Sequence, residues 1–133
     1  MPFKKLFQPS PKANDGLTQA AREALVDVLH YTMYADRHIA VREDQFIEAT
    51  ARALSWDPNI SYEYYEGKST GAVTRALSDA AEGQAFFESL KSRLARQSDR
   101  ELALTLAADL AKSDGQQRDS ETAAIAKLRA ALA

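Results

Sequence analysis

The stretch Ala111-Lys112-Ser113-Asp114-Gly115-Gln116-Gln117-Arg118-Asp119-Ser120-Glu121 closes one alanine-rich segment and opens another. Asp-Gly marks a turn, and acidic residues just beyond it suit the first turn of a new helix, where the backbone dipole favours negative charge. The spacing predicts a helix over 102–112 and a last helix over about 120–132. A related arrangement lies 78 residues upstream, where Tyr34-Ala35-Asp36 leads through Arg37, His38, Ile39, Ala40, Val41 and Arg42 to Glu43. Residues 24–54 align without gaps on 102–132, so that Asp36 falls on Asp114, Glu43 on Glu121, Ile47 on Ile125 and Leu54 on Leu132. Only five of the 31 aligned residues are identical, so the weight rests on the order of parts: helix end, Asp, six intervening residues, Glu, helix start. This reading gives an all-α, single-domain helical bundle of two related helix–loop–helix halves.

Working outward from the first corner, Leu25, Val28, Leu29 and Met33 follow the spacing of one buried helical stripe. That helix should stop near 36–38, and a second should run over about 41–55 with Phe46, Ile47, Thr50 and Leu54 inward. Trp56-Asp57-Pro58-Asn59 ends it, because proline cannot continue a helix. In the middle, Tyr62 and Tyr64 alternate as a strand would, but a lone short strand has no partner. A loop or short helix over 60–66 is expected instead. Two further helices are expected over 71–82 and 84–97, joined at Gly83, with Val73, Leu77, Phe86, Phe87, Leu90 and Leu94 inward. Ser98-Asp99-Arg100-Glu101 has the pattern of a capping box for the helix that follows.

Residues 1–16 read as a partly ordered tail and 17–133 as the helical domain. The tail holds three prolines, the Asn14-Asp15-Gly16 turn signal, and Phe3, Leu6 and Phe7 beside Lys4 and Lys5. Three apolar side chains are few for a membrane anchor, and the segment lacks the apolar stretch of a signal peptide. With no run near the roughly 20 apolar residues of a membrane span, the expectation is a cytoplasmic protein. A chain of 133 residues, 45% apolar and 27% charged, can bury a core without staples. The absence of cysteine excludes disulfides, thiolate metal sites and cysteine nucleophiles. A net charge of −2 gives no electrostatic reason to expect nucleic-acid binding.

The acids at the two corners admit two readings. A carboxylate at a helix exit faces unpaired carbonyls and is disfavoured by a few tenths to about one kcal/mol. In the first reading the cost is met locally: Asp accepts N–H groups of its own turn, and Glu occupies the first turn of the next helix. In the second, Asp36 with Glu43, and Asp114 with Glu121 and Asp119, offer oxygen ligands that suit calcium or magnesium. Asp44 adds a further acid beside the first corner. Neither loop has the alternating acids of an EF-hand, and Arg37, His38, Arg42 and Arg118 bring basic groups close to both.

At these residues the sequence resembles the TerB-like tellurite-resistance family. Ala111-Lys112-Ser113-Asp114-Gly115 followed by Glu121, and Tyr34-Ala35-Asp36 followed by Glu43, are similar to the family's repeated corner. The similarity covers most of 18–132, although Arg37 stands where the family has glycine, and Ala40 and Arg118 stand where it often has a capping serine. The resemblance implies an all-α bundle of two related halves, a role in tellurite or wider chemical stress responses, and divalent-ion binding by Asp36, Glu43, Asp114, Glu121 and Asp119.

Other groups carry less. His30 falls at the edge of the first stripe and reads as a boundary residue, and His38 as an exposed loop residue. Gly67-Lys68-Ser69-Thr70 lacks the spacing of a nucleotide loop, though it would suit a phosphate at a helix start. No Ser/His/Asp triad can be assembled, and metal-dependent hydrolysis would need a base beyond the ligands themselves. The functional expectation is a non-enzymatic stress-response domain that acts through a protein partner, with a divalent cation at the corners. The alternative is a purely structural helical adaptor with no ion, its contact surface the tyrosine segment or the tail.

Overall fold

The computed structural model describes residues 16–35, 41–113 and 119–133. Within them lie six helices and no strand: α1 (Gln19–Tyr34), α2 (Val41–Ala53), α3 (Tyr62–Ser78), α4 (Ala80–Arg93), α5 (Gln97–Ala111) and α6 (Asp119–Ala131). The all-α expectation therefore holds for the described residues, and none of these helices is long and apolar enough to cross a membrane. The expectations for the tail fall outside them, Gly16 apart; its φ of +78° is the left-handed geometry that glycine supplies most cheaply.

Thr18 opens α1 by accepting the Ala21 N–H on its hydroxyl at 3.0 Å. Every residue of α1 from Leu25 to Met33 is buried, and the helix touches each of the other five. A helix enclosed on all sides has no single stripe. The expectation that His30 is a boundary residue is thereby corrected: it is 0% exposed.

On α2, Phe46, Ile47 and Thr50 are buried, as is Leu54 just beyond its end. The helix stops before the proline, by its own hydrogen bonds. Ser55 N–H donates to Arg52 C=O at 3.1 Å and Trp56 N–H to Ala51 C=O at 3.2 Å, with Ser55 at φ +67°. That pair of bonds around a left-handed residue is the Schellman arrangement, here with serine in the place usually taken by glycine.

The middle of the chain departs most from expectation. In place of a loop or short helix followed by a helix from 71, α3 runs unbroken through Gly67 and Gly71. Ser61 caps it, accepting the Tyr64 N–H at 3.1 Å. The helical turn puts Tyr62 and Tyr65 on the buried face and leaves Tyr64 69% exposed, so the apparent strand alternation is lost. The join to α4 is Asp79, which accepts the Glu82 N–H at 2.9 Å, and not Gly83. Gly83 lies inside α4, where a Cβ would come 3.0 Å from the Ala76 carbonyl oxygen; the glycine lets α3 and α4 approach. Val73, Phe86, Leu90 and Leu94 are buried as expected, whereas Leu77 is 40% exposed.

The expected serine cap of α5 is also corrected. The helix begins at Gln97, with Arg96 at the cap, and Asp99 accepts the Arg96 N–H at 3.3 Å and its guanidinium at 2.7 Å. Finally, α6 buries Ala124, Ile125 and Leu128, with Leu132 behind them. An offset of 78 residues carries Gln19 at the start of α1 onto Gln97 at the start of α5, and both ends of α2 onto both ends of α6.

Candidate functional site

Of the five corner acids, Asp36 and Asp114 lie outside the described residues, as does His38. Glu43 stands in the first turn of α2 and Glu121 in the first turn of α6. They are 2% and 1% exposed, uncommonly deep for glutamate. Both sit where a helix start favours negative charge. Asp119, two residues before Glu121, is exposed. The inward positions that follow also match: Ile47 with Ile125 and Leu54 with Leu132 are all buried.

A second group of side chains was not assembled by sequence reasoning. His30 on α1, Asp44 on α2 and Glu66 on α3 bring a ring nitrogen and two carboxylate oxygens within 4.8 Å of one another. His30 Nδ1 is hydrogen-bonded to Ser69 Oγ at 2.8 Å, and Ser69 is itself 2% exposed. The other nitrogen, Nε2, is buried without a hydrogen-bond partner. Burial lowers the His30 pKa to about 4, so the ring is neutral at pH 7. Burial, followed by the neighbouring carboxylate of Asp44, raises the pKa of Glu66. The same two acids face Tyr34 and Tyr62, whose hydroxyls are pushed above their ordinary pKa first by burial and then by these charges. Tyr62 Oη is likewise buried without a partner.

From the sequence, Asp44 is only an acid beside the first corner. The helix turns it about 100° from Glu43, so Glu43 goes into the core while Asp44, half-buried, meets His30. Glu66 joins them only because α3 is helical, which the sequence reading missed. The one available signal was the run Leu25–Met33, whose apolar residues surround Asp27 and His30 on every face.

A third polar cluster is structural. Tyr65 Oη donates to Asp27, 2.9 Å from Oδ1 and 3.0 Å from Oδ2, and Arg93 Nη2 reaches Asp27 Oδ2 at 2.7 Å. It ties α1, α3 and α4 together with full hydrogen bonding of a 4% exposed aspartate. Gly67–Thr70 does not form the helix start at which a phosphate would sit: these residues lie within α3, where backbone N–H groups serve the helix. Trp56 is 8% exposed and donates its indole N–H to the Ile60 carbonyl at 2.8 Å, a packing role.

Compared with known proteins, the chain matches no family model, no curated protein and no solved structure.

Proposed function

We propose that the chain is a TerB-like domain of the tellurite-resistance type, built of two related helix–loop–helix halves, that acts without catalysis through a protein partner and carries a divalent cation at its acidic corners. The observation that carries this reading is the paired burial of Glu43 and Glu121 at the same place in helices whose bounds differ by one constant offset. Two unrelated helix pairs have no reason to bury a glutamate at the same turn, because burying a carboxylate is costly unless something compensates it. The donors on offer, Glu43 with Asp36 and Glu121 with Asp114 and Asp119, are all oxygen and fit a hard ion such as calcium or magnesium. With such an ion in place they would act as ligands that fasten each helix exit to the next helix start.

Titration of the ¹⁵N-labelled chain with calcium and with magnesium tests the ion. Matching, saturable amide shifts around 36–43 and 114–121 are expected. No shift at millimolar ion removes the cation from the proposal. The adaptor reading, without an ion, draws support from the tyrosine segment, where Tyr64 is 69% exposed. Loss of a captured partner on Tyr64→Ala, with calcium and magnesium inert, would favour that reading.

A further inference from the structure

We propose that His30, Asp44 and Glu66 form a binding site for one first-row divalent transition ion, zinc being the best fit, held between α1, α2 and α3. The site does not rest on the corner reading and stands even if the corners hold no ion.

Four observations converge on it. First, the three donors come from three helices and already lie within 4.8 Å of one another. An ion bonded to each at roughly 2.0–2.2 Å needs them roughly 3–4 Å apart, a closure that rotation of the half-buried carboxylates supplies. Second, His30 Nε2 is a polar atom with no partner on a residue that is 0% exposed. Leaving such an atom unsatisfied costs about 1–3 kcal/mol. Third, the opposite nitrogen is fixed by Ser69 at 2.8 Å. If Nδ1–H donates to the Ser69 hydroxyl oxygen, Nε2 keeps its lone pair for a ligand bond, and metal-bound histidines are held in this way by a hydrogen bond from the second nitrogen. Fourth, Asp44 and Glu66 lie within hydrogen-bond reach of each other, so that two charged carboxylates there repel. No lysine or arginine among the described residues forms an ion pair with either, since the ion pairs there use Asp27, Glu48, Glu63 and Asp99. A dication relieves that repulsion and satisfies Nε2 in one step.

Chemistry separates this site from the corners. Imidazole favours zinc and its first-row neighbours, whereas an all-oxygen set favours calcium or magnesium. Stoichiometry separates them too. At the positions offset by 78 residues, Ala108 and Thr122 replace His30 and Asp44, so the second helix pair has no such site.

The competing account is a carboxyl pair that merely shares a proton. The experiment uses the full chain, freed of any affinity tag and of metal, titrated with cobalt(II) and with zinc(II). Visible cobalt absorption saturating at one equivalent is expected, displaced by zinc, with a large ¹⁵N shift at His30 and a raised thermal midpoint. Asp44→Asn and Glu66→Gln, which keep side-chain shape, should each weaken binding at least tenfold, and Ser69→Ala about 10–100-fold through loss of ring orientation. Glu101→Gln, on the exposed face of α5, should bind as the parent does. Because His30 is part of the core, the carboxylate variants carry the test. Metal-free Glu66→Gln should melt no lower than the parent, since it removes a repulsion, yet zinc should raise the parent's midpoint and not the variant's. Absence of saturable binding, equal affinity in Asp44→Asn and Glu66→Gln, or zinc stabilising both proteins alike would overturn the proposal.

Discussion

The pairs α1–α2 and α5–α6 share three of their four helix bounds at one offset, yet their interiors are built differently. Where α1 buries Leu25, Leu29 and Met33, α5 buries Ala103, Ala107 and Ala111. Where α1 buries Asp27 and His30, α5 has the exposed Thr105 and half-buried Ala108. Position explains the contrast. α1 is surrounded, and large side chains fill the space on every side of it. The alanines of α5 let its backbone come close to α1, which is how small residues serve at a helix contact. Polar chemistry gathers on α1 because α3 and α4 pack there and bring Glu66, Tyr65 and Arg93. The same skeleton thus serves once as a hub and once as a buttress.

The largest expected effect comes from breaking the hub's ion pair. Arg93→Met leaves Asp27 charged and buried without its cation and should cost about 3–5 kcal/mol, read from urea unfolding. Thr105→Ala, at the corresponding place on α5, should stay within about 0.5 kcal/mol. Similar costs for both would show that α1 is not the more enclosed helix. Next is core volume. Leu29→Ala opens a cavity in the hub and should cost about 2–5 kcal/mol, whereas the counterpart change, Ala107→Leu, should overpack the α1–α5 contact and cost about 1–3 kcal/mol. A neutral Ala107→Leu would mean that the buttress does not approach closely. The smallest effect concerns the helix ends. Ser55, left-handed after α2, has Ala133 as its counterpart at the chain end. Ser55→Gly should stabilise by about 1 kcal/mol, raising the thermal midpoint, because glycine bears no penalty there.

What the sequence disclosed follows the same division. The outer four helices were legible from their apolar repeats, although α5 begins at Gln97 and not at Leu102: Phe46, Ile47, Thr50 and Leu54 behave as their spacing predicts. The hairpin α3–α4 was misread because Gly67 and Gly71 look like breakers. Within a helix they are tolerated, and only Gly83 is demanded by a close approach. The His30–Asp44–Glu66 group was hidden for a related reason. A one-stripe reading places His30 at an edge, and no local pattern says that α2 and α3 bring polar groups against it. Glu66 joins only through the register of a helix that was not foreseen. Of the corner acids, the burial of Glu43 and Glu121 is now seen, while their partners Asp36 and Asp114 lie outside the described residues.

The equivalence of the two corners is tested most directly by Glu43→Gln and Glu121→Gln, made singly and unfolded in urea without added metal. If both glutamates hold their corner in the same way, each change should lower stability by about 1–3 kcal/mol, the range for losing a charge-assisted hydrogen bond in a buried place. The two losses should agree within about 0.5 kcal/mol. A cost at one corner with neutrality at the other would contradict the pairing.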